Sequence, residues 1–151
     1  MGIRPYQIVK TGEVTYTFNS IGTKGTIKKL VQFSATSQNG IFNVGFGDIQ
    51  PNGEIDDKSE SNNGDIAKVL VTIISIIFDY THAHRDLKIV FTGSTSQRTF
   101  LYQRLLSRYY SIYSIDFTIT GLVMVSDLDY FEEIFNPKVD YLYTAFFIKR
   151  K

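Results

Sequence analysis

The sequence contains no cysteine. Disulfides and thiolate metal sites are therefore excluded, and the fold must rest on its core. Long apolar runs are also missing. The longest, Ile73 to Phe78, is broken by Ser75 and is shorter than a membrane span requires. The opening Met1-Gly2-Ile3-Arg4-Pro5-Tyr6 lacks the apolar centre of a secretory leader. Charge of one sign is not in excess either. Sixteen basic and fifteen acidic residues leave a net +1, so no global field gathers nucleic acid from a distance. There is no His-Glu-x-x-His, no Gly-x-Ser-x-Gly and no glycine loop followed by Gly-Lys-Ser/Thr. These absences predict a soluble cytosolic protein with no cofactor, no metal and no membrane contact.

What is present suits one globular domain spanning residues 1–151. Hydrophobic residues make up 43% and charged residues 21%, both ordinary values for a packed fold. A chain of this length buries roughly 70% of the surface its unfolded form exposes. Lys24, Lys28 and Lys29 form one basic cluster, and Lys149-Arg150-Lys151 reads as a solvated end.

Val14 to Ile21 alternates apolar and polar residues and reads as a strand, with Gly22 and Gly25 marking a turn. A second strand runs from Thr26 to about Thr36. Gln38-Asn39-Gly40 then signals a hairpin into a third strand, Ile41 to Gly47. Gln50 to Gly64 is polar and reads as a surface loop. Ile66, Val69, Leu70, Ile73, Ile74 and Ile77 share a helical face opposite Lys68, Thr72, Ser75 and Asp79, which predicts a helix over about 65–80. A buried strand at Leu87–Thr92 leads into a second helix at about 97–110. Its apolar stripe is Leu101, Tyr102, Leu105, Tyr109 and Ile112. A strand follows at 116–125, then a short helix around Tyr130–Ile134. A last strand at Tyr141–Ile148 is apolar on both faces and belongs near a sheet centre. The expected class is α+β, in the order βββ-α-β-α-β-β. The sheet should be mainly antiparallel, with the two helices packed on one face.

The segment Gly93-Ser94-Thr95-Ser96-Gln97-Arg98 carries the most chemical promise. A buried strand ends in hydroxyl-bearing residues and enters a helix whose first turn has unpaired N–H groups and partial positive charge. Phosphate and carboxylate bind readily at such a place. Gly93 would admit an anion to the backbone, and Ser94, Thr95 and Ser96 add donors. Arg98 opposes the helix dipole and needs an anionic partner. Two readings stand. The partner is a ligand phosphate, or it is an internal acid such as Asp48 or Asp65.

Gly45-Phe46-Gly47-Asp48 and Ser61-Asn62-Asn63-Gly64-Asp65 are further polar turns. Asn63 or Asp65 suits the N-cap of the first helix. The candidate ligand-binding set is therefore Gly93, Ser94, Thr95, Ser96 and Arg98, with Asn63, Asp65 and Asp48. Asp79 and His82 share the i, i+3 spacing of metal ligands, but a histidine near a helix C-terminus is favoured by the dipole alone. No catalytic base or nucleophile can be named. Ten tyrosines and twelve phenylalanines are many for this length, and surplus tyrosine suits a protein partner or stacked bases.

Several strings are found together: Ser20-Ile21-Gly22-x-x-Gly25, Phe46-Gly47-Asp48, Ser61-Asn62-Asn63-Gly64-Asp65 with Lys68-Val69-Leu70, and Gly93-Ser94-Thr95-x-x-Arg98-Thr99-x-Leu101-Tyr102. Over about residues 14–110 the chain resembles an uncharacterised family of small stand-alone bacterial proteins classed as a domain of unknown function. The resemblance implies a bacterial cytosolic protein and brings no activity with it. Ser94-Thr95-Ser96 with Glu132-Glu133 is also similar to part of the arginine, Ser-Thr-Ser and glutamate pattern of ADP-ribosyltransferases. That family, however, carries Ser-Thr-Ser on a strand. Two functions follow as expectations. One is a domain binding a phosphate-bearing small molecule or nucleic-acid backbone at Gly93–Arg98. The alternative is a protein-interaction module, such as one component of a toxin–antitoxin or regulatory pair.

Overall fold

Alternating residues at 15–22 and 25–35 pair as expected of half-buried strands. In the computed structural model, which describes residues 2–50, 52–56 and 63–151, they form β2 (Thr15–Gly22) and β3 (Gly25–Ala35). The pair is antiparallel, with Tyr16 opposite Val31, Phe18 opposite Lys29 and Ser20 opposite Ile27. The chain forms two compact units: Met1–Ser34 with Val44–Ala83, and Ala35–Asn43 with His84–Lys151.

In the first unit, β1 (Val9–Lys10) adds to β2, β4 (Ile41–Ile49) lies beside β3, and β5 (Ile55–Asp56) pairs with β4. The two-residue strands β1 and β5 carry too few residues to show a period, so neither was legible. β5 interrupts what reads as loop, and residues 57–62, including Ser61-Asn62, lie outside the described residues.

Helix α1 (Ile66–Ala83) buries Val69, Leu70, Ile73, Ile74, Ile76 and Ile77. It extends three residues beyond the expected end. Tyr80 stacks on Phe33 of β3, and Tyr16 donates to Asp79 at 2.7 Å. The buried face is wider than its period suggests. Thr72, expected on the outer face, is fully buried, because the N-terminal segment lies over it and the Tyr6 N–H donates to its hydroxyl at 2.8 Å. By length and mean hydropathy (1.5 over 18 residues) α1 would suffice to cross a membrane, although no uninterrupted apolar run announces it. Half of it is buried within the protein.

Lys29 corrects another expectation. It is not part of an exposed basic cluster: it is 6% exposed and ion-paired with Asp48.

In the second unit, β9 (Ala145–Arg150) lies between β6 (Lys88–Phe91) and β7 (Phe117–Ser126), antiparallel to both. This is the central position its two apolar faces require. Residues Ile41–Asn43 of β4 run parallel to β6. β8 (Asp129–Ile134) closes a hairpin with β7. The expected helix at 130–134 is therefore a strand. Ser126 pairs directly with Asp129 across a two-residue turn, and Tyr130-Phe131 fits a pleated surface better than a helix.

Helix α2 (Ser96–Asp116) runs six residues past its expected end because no glycine or proline stops it. It ends where Phe117 turns extended and buried. Its buried residues are Thr99, Tyr102, Gln103 and Leu106. The expected stripe is rotated: Leu101 is 38% exposed and Ile112 57%. Tyrosine and leucine occur on every side of this helix, so its apolar period was weak. The core beneath it is aromatic, with Phe91 5.3 Å from Phe146 and Phe135 6.0 Å from Phe146.

Candidate functional site

Strand β6 delivers the chain to Thr92 and Gly93 at the entry to α2. Thr95 is extended (φ −135°, ψ 162°), and its hydroxyl accepts the Arg98 N–H at 3.2 Å. This caps the helix and satisfies one of its first-turn donors. The Thr99 N–H closes the first turn on the Thr95 carbonyl at 3.0 Å. Neither bond takes the N–H groups of Ser96 and Gln97, which remain as first-turn donors.

Gly93 holds strand and helix together. Its N–H donates to the Thr99 hydroxyl at 3.0 Å, and that hydroxyl donates to the Thr95 carbonyl at 3.1 Å. A Cβ on Gly93 would fall 2.5 Å from the Thr99 nitrogen and 2.8 Å from the Arg98 carbonyl carbon. The missing side chain admits the first turn of α2 itself.

The opposite wall comes from residues 142–144. The Thr92 hydroxyl donates to the Thr144 carbonyl at 2.8 Å. Gln103, on the buried face of α2, donates to the Tyr141 carbonyl at 2.9 Å and accepts the Tyr143 N–H at 2.8 Å. The Tyr143 ring lies against the backbone of Gly121. Both Tyr141 and Tyr143 donate their hydroxyls to Glu133 Oε2 at 2.5 Å. The Tyr141 and Tyr143 hydrogen bonds hold the Glu133 carboxyl below its ordinary value. Burial, then the bond to Glu133, pushes the Tyr143 phenol up.

Together these walls enclose a cleft of about 280 Å³, lined by residues 92–96, Thr99 and 142–144. Beside it lies an apolar hollow of about 510 Å³ formed by Phe100, Leu101 and Gln97, sharing Ser96 and Leu142 with the cleft. Phe100 is 51% exposed, and the Arg104 guanidinium lies 5.8 Å from its ring centre.

Gly93, Ser94, Thr95 and Ser96 thus meet at one cleft. Arg98 is half-buried and stands in the same helical turn, but its side chain does not line the cleft. Burial pushes the Tyr102 phenol up, and the neighbouring Arg98 charge pulls it partly back.

Asn63, Asp65 and Asp48 belong to the first unit and have partners there. The Asn63 amide donates to the Ser20 hydroxyl and the Gly25 carbonyl, both at 3.0 Å, and accepts the Lys24 N–H at 2.6 Å. Asp65 accepts the hydroxyls of Tyr6 and Ser20, both at 2.6 Å. Asp48 holds Lys29.

The sequence reading missed Thr144, Tyr143 and Gln103. Tyr143 and Thr144 lie some fifty residues from the turn they complete, and the pairing of β6 with β9 brings them beside it, whereas Gln103 belongs to α2 itself. A glutamine on the inward side of α2 was the one available sign.

No curated protein and no solved structure matches the chain. A family model does, over residues 3–151, which extends well past the motif-bearing part of the sequence. The chain belongs to the family of unknown function DUF6934.

Proposed function

We propose that the second unit binds a phosphate-bearing ligand, with the phosphate in the cleft at the start of α2. One observation carries this reading: the cleft is lined by Ser96, at the first turn of α2, and by several hydroxyl-bearing residues. A helix N-terminus stabilises an anion through its first-turn N–H groups and through its dipole. Ser94 and Ser96 supply exposed hydroxyls, Thr95 fixes the cap, and Gly93 fixes the approach of strand and helix. Arg98 adds positive charge to the same turn without lining the cleft.

The adjoining hollow narrows the ligand class. A phosphate in the cleft would leave the rest of the molecule over Phe100 and Leu101. An exposed aromatic beside an arginine is a surface on which a base stacks. A nucleotide, or a nucleotide at the end of a nucleic-acid strand, fits both halves. No reaction is proposed, since the cleft presents no base or nucleophile with an assignable role.

The test is calorimetry of the whole chain against inorganic phosphate, a nucleoside and the matching nucleoside monophosphate. The monophosphate should bind most tightly, and Ser94→Ala/Ser96→Ala should weaken it without changing the melting temperature. Equal binding of nucleoside and nucleotide would overturn the anion site, and so would no binding by the wild type.

A further inference from the structure

The β7–β8 hairpin of the second unit presents a different kind of surface. β8 ends the strand order of its sheet, and among the described residues no strand lies on its outer side. Natural edge strands are commonly guarded by lysine or proline. Residues 126–134 contain neither. Apolar side chains stand in water along the hairpin instead: Leu128 is 92% exposed, Ile134 62%, Tyr130 51% and Phe131 47%. Met124 and Val125 extend the patch onto β7 at 49% and 65%. A cluster of exposed apolar groups on an open edge is characteristic of a surface that a partner covers.

Charge selects the partner. Residues 126–134 carry Asp127, Asp129, Glu132 and Glu133 and no basic residue. Glu132 is engaged by Lys88 and Glu133 by the two tyrosines, while Asp127 and Asp129 stand exposed at the turn. A second copy of this chain would bring the same four acids to the seam, and like charges across a strand pair are destabilising. The complementary occupant is an extended segment of another protein whose side chains alternate apolar and basic.

We infer that β8 is a docking edge that such a segment extends as an added strand. Main-chain hydrogen bonds along the edge supply affinity, the apolar residues bury against Tyr130 and Ile134, which share one face of β8, and the basic residues meet Asp129 on the other face. This surface shares no residue with the anion cleft, and neither reading depends on the other.

The experiment maps backbone amide shifts of the isotope-labelled chain on addition of three synthetic peptides. One alternates valine and lysine, one alternates glycine and lysine, and one alternates valine and glutamate. The valine–lysine peptide should shift and protect the amides of β8 and bind best, with the glycine–lysine peptide weaker by about tenfold or more. The valine–glutamate peptide should not bind. Tyr130→Lys and Ile134→Lys, each checked for an unchanged spectrum outside the hairpin, should abolish the response. Asp127→Asn/Asp129→Asn should weaken it and flatten its salt dependence. Four outcomes would overturn the inference: shifts away from β8, equal binding of the valine–glutamate peptide, no binding of any peptide, or a concentration-dependent dimer whose contact maps to β8.

Discussion

The Tyr143 ring rests on Gly121: a Cβ built at Gly121 would sit 2.3 Å from Tyr143 Cδ1. Tyr143 is fully buried and lines the cleft at the start of α2, so this contact links a β7 glycine to the shape of the cleft. Gly121→Ala forces the ring to move. It should destabilise the protein by roughly 1–3 kcal/mol, as overpacking does. It should also weaken nucleotide binding, although residue 121 does not line the cleft. Urea denaturation with calorimetry on the same sample reads both effects.

Arg98 separates the two explanations of the α2 turn. If its role is to add charge for a ligand, Arg98→Ala should change stability by less than about 1 kcal/mol and abolish the thermal shift given by a nucleotide. If it serves an internal carboxylate, the variant should lose roughly 3–5 kcal/mol while any nucleotide shift survives. The denaturation midpoint, with and without nucleotide, distinguishes them. Thr95→Ala offers an internal standard: loss of the cap should cost about 1 kcal/mol.

The Lys29–Asp48 pair is a test of the first unit alone. Both side chains are largely withdrawn from water, at 7% and 15% exposure. Asp48→Asn removes a counter-charge from a buried ammonium and should cost roughly 3–5 kcal/mol. Lys29→Met/Asp48→Leu should recover most of that loss, because replacing a buried pair by apolar groups is often neutral. A double variant as unstable as the single one would show that Lys29 has a further role.

Two pH windows follow from the displaced groups. The Glu133 carboxyl lies below its ordinary 4.5 in the folded state, so its stabilising effect is complete above that pH and is lost as pH falls through the folded value. Glu133→Gln should flatten the fall in melting temperature below that pH. At the alkaline end seven phenols are raised above their ordinary 10, including Tyr16, Tyr102 and Tyr143 largely through burial. Their effect is complete below pH 10 and is lost above it, with Tyr113 pushed up to about 12. The phenolate absorbance that these seven contribute should rise steeply together with the loss of ellipticity, not gradually ahead of it.

Much of this fold was legible because its period was strong. The isoleucines of α1 and the alternation in β2 announce a helix and a strand, although Thr72 and Thr17 are buried against those patterns. α2 was legible as a helix but not in its orientation, since Leu101, Tyr109 and Ile112 mimic an inner stripe while Thr99 and Gln103 are the residues buried. The short helix expected around Tyr130–Ile134 is the strand β8, because pairing with β7 decides the conformation of a segment with no strong period of its own. At the cleft, the near wall was legible from Gly93 and its hydroxyl neighbours. The far wall was not, because no local pattern announces which distant strand lies beside β6.

Gln103 gives the cleft a mechanical property. Its side-chain amide makes the two hydrogen bonds, one to Tyr141 and one to Tyr143, that a neighbouring peptide group would make in a sheet. Helix and far wall are thereby coupled through a single pseudo-peptide linkage. The wall is also tied to β7, where the Thr144 N–H and hydroxyl both donate to the Leu122 carbonyl at 2.9 and 3.0 Å, so it is held from both sides. A ligand at the proposed site would then meet a preorganised recess and lose little free energy to ordering it.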